Sequence, residues 1–135
     1  MVPPKGSQDA QGNELQIGTN CLGHCLLYRL LEPLLAKTAA TSPTGTVRVA
    51  WAGSIGVDVV SPKPGGMKLN SDGQPQDAGA QANYGQSKVG NVFLGHQYAR
   101  RTPENGIVHA SFNPGNLRSE LQRNTSWIEY KILVR

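Results

Sequence analysis

Cysteine is scarce in this sequence of 135 residues, and clusters of basic residues are missing from it. Two cysteines are too few for a disulfide-rich scaffold. Cys21, His24 and Cys25 match no zinc-binding spacing and lack a fourth ligand, so we expect no metal site. The net charge is +4, but lysine and arginine are scattered along the chain. Because nucleic acids and anionic membranes require these residues on one face, we expect neither as a partner.

Long apolar runs are also missing, and this argues against a membrane span. The most apolar stretch, residues 21–36, is interrupted by charged, polar and helix-breaking residues. These interruptions are His24, Arg29, Glu32 and Pro33. Residues 1–10 have no apolar core and do not resemble a secretory signal. We therefore expect a cytoplasmic protein.

The pattern of apolar residues predicts two long helices and two strands in a single domain. A wide leucine stripe predicts a first helix from about Asn13 to Lys37, buried on more than one side. Pro33 is expected to kink this helix or to end its regular part. Strands are predicted over 46–52 and 107–112, with a second helix over 80–101 between them. The apolar face of the second helix is predicted to contain Val89, Val92, Phe93 and His96.

The order of these elements indicates an α/β fold. A strand–helix–strand unit implies two parallel strands joined by a right-handed crossover. Parallel sheets normally have more than two strands and are covered on both faces. We therefore expect the sequence to be part of a larger domain. Residues 117–134 predict a weaker, partly helical tail, and residues 56–79, with eight glycines or prolines, predict a long surface loop.

Tyr84 and Lys88 open the second predicted helix and are four residues apart, so their side chains share one helical face. An ammonium group beside a phenol stabilises the phenolate and lowers the phenol's pKa. A proton donor is most effective when its pKa approaches the working pH. The pair therefore suits acid–base catalysis between a carbonyl and an alcohol, although this spacing alone is common.

Three other polar residues or segments lie where the predicted fold places ligands. Ser54 directly follows the first strand, and Asn113-Pro114-Gly115 directly follows the second. The carboxyl ends of parallel strands form the ligand-binding edge of such a sheet. Asn20 interrupts an apolar helix, where a buried amide requires hydrogen-bond partners.

Together, these residues resemble a known enzyme family. Asn20, Ser54, Tyr84-x-x-x-Lys88 and the run 114–119 occur in the order found in short-chain dehydrogenase/reductases, and look most like the retinol-dehydrogenase-like branch of fungi. The resemblance covers nearly the whole chain. It implies an NAD(P)-dependent oxidoreductase that interconverts a carbonyl and an alcohol on a small organic substrate.

The resemblance also implies roles for individual residues. Tyr84 would be the general acid in reduction and the base in oxidation. Lys88 would lower the pKa of Tyr84 and bind the nicotinamide ribose of NADP or NAD. Ser54 would orient the carbonyl, and Asn20 would bind a water in a proton relay towards Lys88. The residues expected to flank the nicotinamide are Pro114, Gly115, Leu117 and Ser119.

Two family motifs do not occur in these 135 residues. The run Thr-Gly-x-x-x-Gly-x-Gly, which places a pyrophosphate at a helix N-terminus, is missing, and so is Asn-Asn-Ala-Gly. The resemblance therefore implies an incomplete domain over 1–135. The expected fold is part of a Rossmann-like, doubly wound parallel sheet without the N-terminal dinucleotide-binding half and the last strand.

A second function class stays open beside the enzyme. The chain would then be a non-catalytic remnant that cannot bind the dinucleotide. Its two long helices match those that family members often use for dimer contacts, so at most it would pair with a full-length relative.

Overall fold

A computed structural model describes residues 3–115, which form an α/β unit. The elements in chain order are α1 (Leu15–Ile17), a π-helical turn (Gly18–Leu22), α2 (Gly23–Ala40), β1 (Arg48–Ala52), α3 (Gly56–Val59), α4 (Ala80–Arg101), a 3₁₀ turn (Pro103–Asn105) and β2 (Val108–Phe112). The predicted tail over 117–134 lies outside the described residues, and so do Leu117 and Ser119. None of the helices in the described part is long and apolar enough to cross a membrane.

The two strands pair in parallel, which confirms the predicted α/β class. Their register runs from Arg48 opposite Val108 to Ala52 opposite Phe112. α4 packs on both strands, and Trp51 of β1 is 3% exposed beneath it. On the other face of the sheet, Val108 and Phe112 are exposed. Within the described part of the chain, the sheet is therefore covered on one face only.

The first predicted helix is continuous, but its burial differs from the prediction. α1, the π turn and α2 follow one another from Leu15 to Ala40, so the helix continues seven residues beyond Pro33. Of the two effects expected of Pro33, an end of the regular helix is therefore wrong, and a kink stays a prediction. The predicted burial of the leucine stripe is wrong, because Leu26, Leu30 and Leu34 are 61%, 71% and 63% exposed. Among residues 3–115, no element covers that side of α2.

The second helix has the predicted bounds, and Val89 is buried as predicted, but most of the other buried side chains of the helix are polar. Phe93 and His96 are exposed, which corrects their predicted place on the packed face. The buried side chains of α4 are Asn83, Gln86, Ser87, Val89 and Asn91. α4 approaches the sheet closely at a glycine instead of filling the space with a large apolar side chain, since a Cβ on Gly95 would lie 3.0 Å from the Trp51 ring. The face of α4 that meets the sheet is thus built from small and hydrogen-bonding residues.

The segment 56–79 begins with the single turn α3 and contains one small antiparallel bridge, Leu69 to Pro75. Gln86 of α4 holds both sides of this bridge. Its Oε1 accepts from the Lys68 backbone N–H at 2.7 Å, and its Nε2 donates to the Gln76 carbonyl at 3.0 Å. The segment is therefore fastened to α4 two residues after Tyr84, on a different side of the helix.

Candidate active site

The hydroxyls of Tyr84 and Ser54 lie together at the carboxyl end of β1. Tyr84 is in the first turns of α4, and its hydroxyl donates to Ser54 Oγ at 3.2 Å. Ser54 also accepts the Gly56 backbone N–H at 3.1 Å, which fixes the serine within the turn that opens α3. Gly56 leaves room for the phenol, because a Cβ there would lie 3.0 Å from the Tyr84 ring. The fold thus brings two hydroxyls from distant parts of the sequence within hydrogen-bond distance.

Lys88 lies one helical turn after Tyr84, on the same side of α4. Its Nζ is 5.9 Å from the centre of the Tyr84 ring and donates to the Ala52 carbonyl at 3.3 Å. Burial lowers the pKa of Lys88 below its ordinary value, because the ammonium loses hydration. A cation therefore lies beside the phenol, as the spacing of four residues predicts.

Asn20 lies in the π-helical turn between α1 and α2, and π turns often occur at functional sites. Its Nδ2 donates to Ser87 Oγ at 3.1 Å, and that hydroxyl donates to the Tyr84 carbonyl at 2.8 Å. Asn20 is thereby linked to the helix turn that carries Tyr84 and Lys88. Its expected role in a water relay stays a prediction.

Pro114 and Gly115 follow Asn113, the first residue after β2, and are exposed. Since β1 and β2 are parallel, both residues lie at the sheet edge that carries Ser54. Asn113 shapes their turn, because its Oδ1 accepts the Gly115 N–H at 3.1 Å. The structure thus gathers four predicted side chains, Asn20, Ser54, Tyr84 and Lys88, and places Pro114 and Gly115 at the same edge without a direct contact to them.

Two participants in this arrangement were not among the predicted site residues. Ser87, in the run Tyr-Gly-Gln-Ser-Lys, connects Asn20 to α4, and its position directly before Lys88 is the signal that could have revealed it. Asn91 is fully buried and donates to the Ala52 carbonyl at 2.9 Å. The only sequence signal for Asn91 is its position three residues, about one helical turn, after Lys88.

Within residues 3–115, no group of three or more His, Cys, Asp or Glu side chains could hold a metal ion.

Comparison with known proteins identifies the family. A short-chain dehydrogenase/reductase of Phomopsis amygdali is 42% identical over 135 residues, which cover 98% of this chain. The short-chain dehydrogenase/reductase pkfC of Emericella nidulans is 41% identical over 128 residues, 92% of this chain. The chain belongs to the short-chain dehydrogenase/reductase family. This chain is also similar to an uncharacterised oxidoreductase of Schizosaccharomyces pombe, with 35% identity over its full length.

The chain spans about 40% of the length of each of these short-chain dehydrogenase/reductase relatives. No protein-family model matches it, and no solved structure matches it. The predicted resemblance is therefore confirmed at the level of the family, over a part of the length of its members.

Proposed function

We propose that this chain carries the acid–base side chains of an NAD(P)-dependent oxidoreductase that interconverts a carbonyl and an alcohol on a small organic substrate. The observation that supports this most is the hydrogen bond between Tyr84 and Ser54 at the sheet edge, with the Lys88 ammonium beside the phenol. Two hydroxyl donors can meet one carbonyl oxygen there. The membership of an oxidoreductase family supports the same chemistry.

In the proposed reduction, Tyr84 donates its phenolic proton to the carbonyl oxygen, and in oxidation it takes the proton back. Ser54 donates a hydrogen bond to the same oxygen and stabilises the negative charge that develops on it. Lys88 stabilises the phenolate left on Tyr84, because its ammonium lies against that ring. Asn20 is proposed to hold a water in a proton path towards Lys88.

The residues present fit one end of a nicotinamide dinucleotide. Lys88 and Tyr84 offer a cation and a hydroxyl to a ribose, and the Asn113–Gly115 turn lies at the same sheet edge. When bound, the nicotinamide would supply or accept the hydride. The diphosphate end has no counterpart here, since the glycine-rich run that binds it does not occur in these 135 residues. Whether the cofactor is NADP or NAD is determined at the diphosphate and adenosine end of the dinucleotide.

Replacing Tyr84 by phenylalanine tests the proposal directly. We expect Tyr84→Phe to lower the rate of NADPH-dependent reduction of a panel of apolar ketones and aldehydes by about 10²- to 10⁴-fold, because the proton donor is lost. Tyr98→Phe is the matched control, since Tyr98 lies on the same helix and its hydroxyl lies beside Cys25 instead. The proposal fails if both variants reduce the carbonyls as fast as the unaltered chain.

The alternative is a non-catalytic chain that pairs with a full-length relative through its two long helices. Its support is the exposed leucine stripe of α2 together with the missing diphosphate-binding run. Calorimetric titration of the 135-residue chain with NADPH separates the two functions. Sub-micromolar binding would exclude the remnant, whereas no binding at millimolar NADPH would favour it.

A further inference from the structure

A single backbone carbonyl connects Lys88 to a second buried side chain. The Ala52 oxygen accepts from Lys88 Nζ at 3.3 Å and from Asn91 Nδ2 at 2.9 Å. A carbonyl oxygen has two lone pairs and can accept both. Ala52 is the last residue of β1, two residues before Ser54. The carbonyl that accepts from Lys88 thus lies where β1 ends and the turn that contains Ser54 begins.

The peptide unit that contains this carbonyl is held from both sides. Its oxygen, on Ala52, faces α4, while its N–H, on Gly53, donates to the Phe112 carbonyl of β2 at 2.8 Å. Asn91 supplies the shorter of the two bonds to the oxygen, from a side chain with no exposed surface. Rotation of this peptide would move Ser54, and Asn91 opposes that rotation.

The orientation of the Asn91 amide follows from its neighbours. The Ala52 carbonyl can only accept, so the amide nitrogen must face it. The same nitrogen lies 3.3 Å from His24 Nδ1 on α2. Because an amide nitrogen only donates, His24 Nδ1 accepts and the ring proton is on Nε2. Asn91 therefore joins α2, β1 and α4 through one side chain.

Two hydrogen bonds reach α4 on either side of Lys88 in the sequence, one from the π turn and one from α2. Asn20 bonds Ser87, and His24 bonds Asn91, so each partner pair is repeated four residues later on both helices. Lys88 lies between the two links. The helices approach closely at this level, since a Cβ on Gly90 would overlap the Cys21 side chain.

We propose that Asn91 is a positioning residue of this site, which fixes the Ala52 carbonyl and through it the Lys88 ammonium and the Ser54 turn. The proposal rests on the proposed function for its catalytic meaning, but its test does not require turnover. Two donors converge on one oxygen, so the Asn91 amide and the Lys88 ammonium share the Ala52 carbonyl. Loss of that amide gives the ammonium sole use of the carbonyl, which favours the charged form of Lys88.

The test is a carbon-detected NMR titration of Lys88 Cε in the 135-residue chain, with Lys88→Arg to assign the signal. We expect Asn91→Leu to raise the pKa of Lys88 by about half a unit or more. Gln86→Leu is the matched control, because Gln86 is an equally buried amide of α4 that bonds the 68–76 segment and not Ala52. Equal shifts in both variants, or none in Asn91→Leu, would overturn the proposal.

A measurement on the unaltered chain covers the case in which Asn91→Leu does not fold. The Asn91 Cγ and Ala52 carbonyl carbon signals are expected to move with the midpoint of the Lys88 titration, whereas Gln86 Cδ stays constant. If the Asn91 signal does not follow Lys88, the proposal is wrong. Should Lys88 respond as expected while the chain reduces no carbonyl, Asn91 keeps its positioning role and the proposed function of the chain fails.

Discussion

Two tyrosines of α4 illustrate how surroundings decide what a side chain can do. Tyr84 meets Ser54 at the sheet edge, whereas Tyr98 lies with its hydroxyl 3.6 Å from Cys25 Sγ and its ring stacked on Trp51. Burial raises the pKa of Tyr98 to about 12, which moves it further from a working pH near neutrality. We therefore propose Tyr84, which has a cation beside it, rather than Tyr98 for acid–base catalysis.

Lys88 is expected to cost stability at neutral pH. Burial lowers its pKa in the folded chain below the ordinary 10.5. At a pH between the folded-state and unfolded-state pKa of Lys88, the unfolded chain binds more protons than the folded chain, so the free energy of unfolding rises with pH. Below both pKa values, the burial of the charged lysine lowers the free energy of unfolding by its full amount. We therefore predict that Lys88→Met raises the urea midpoint at neutral pH and removes the rise in stability as the pH approaches 10.5.

Urea unfolding followed by circular dichroism checks this prediction, with Lys37→Met as the control because Lys37 is an exposed lysine of α2. A lower midpoint for Lys88→Met would mean that its bond to Ala52 outweighs the loss of hydration.

At the scale of single elements, α4 depends on a glycine where it crosses the segment after α3. A Cβ on Gly85 would lie 2.7 Å from Ser61 Cα and N. Alanine improves helix propensity by about 1 kcal/mol, whereas overpacking costs about 1–3 kcal/mol. Because the obstructing atoms are backbone and cannot rotate away, we expect a cost in the upper part of that range, about 2–3 kcal/mol. We therefore predict that Gly85→Ala lowers the free energy of unfolding by about 1–2 kcal/mol.

Urea denaturation measures this difference. Gln97→Ala, at an exposed position of the same helix, should change the free energy of unfolding by less than about 0.5 kcal/mol. An unchanged or higher stability for Gly85→Ala would show that the 60–61 backbone moves away at little cost.

The local sequence pattern predicted the elements better than it predicted their contacts. Periodicity and flanking glycine and proline placed α4 over its observed residues 80–101. Periodicity could not reveal that Gln86 and Asn91 form the buried face, because their partners, the 68–76 backbone and Ala52, are distant in sequence. Hydrophobicity assigned Phe93 to that face and was wrong, since the glycines of α4 bring the sheet close to polar side chains instead.

The candidate site was predictable for a different reason. Tyr84 and Lys88 follow from helical spacing, and Ser54 follows from the rule that ligands bind where parallel strands end. The π turn around Asn20 and the shared carbonyl of Ala52 depend on backbone geometry that residue types do not specify. These features therefore required the structure.

At the scale of the whole molecule, α2 leaves an apolar stripe without a partner among residues 3–115. Leu26, Leu30 and Leu34 are four residues apart and more than half exposed. A second copy of the chain would cover them, with α2 packed against its counterpart. We predict that the chain self-associates and that Leu26→Lys with Leu30→Lys raises the dissociation constant at least about tenfold.

Sedimentation equilibrium over a range of concentrations measures this constant. Val59→Lys serves as the control, since Val59 is 71% exposed in α3, away from the stripe. A chain that stays monomeric at all concentrations, or a double variant that associates as the unaltered chain does, would contradict the prediction.

We propose that Tyr84, Ser54 and Lys88 form a site for carbonyl reduction. Transfer of deuterium from NADPH labelled at nicotinamide C4 to a ketone, followed by mass spectrometry of the alcohol, tests it most directly. We predict a deuterated alcohol with the unaltered chain and with Tyr98→Phe, and at least about 100-fold less with Tyr84→Phe. Equal deuterium incorporation by Tyr84→Phe, or none by the unaltered chain at millimolar NADPH, would contradict this role of the three residues.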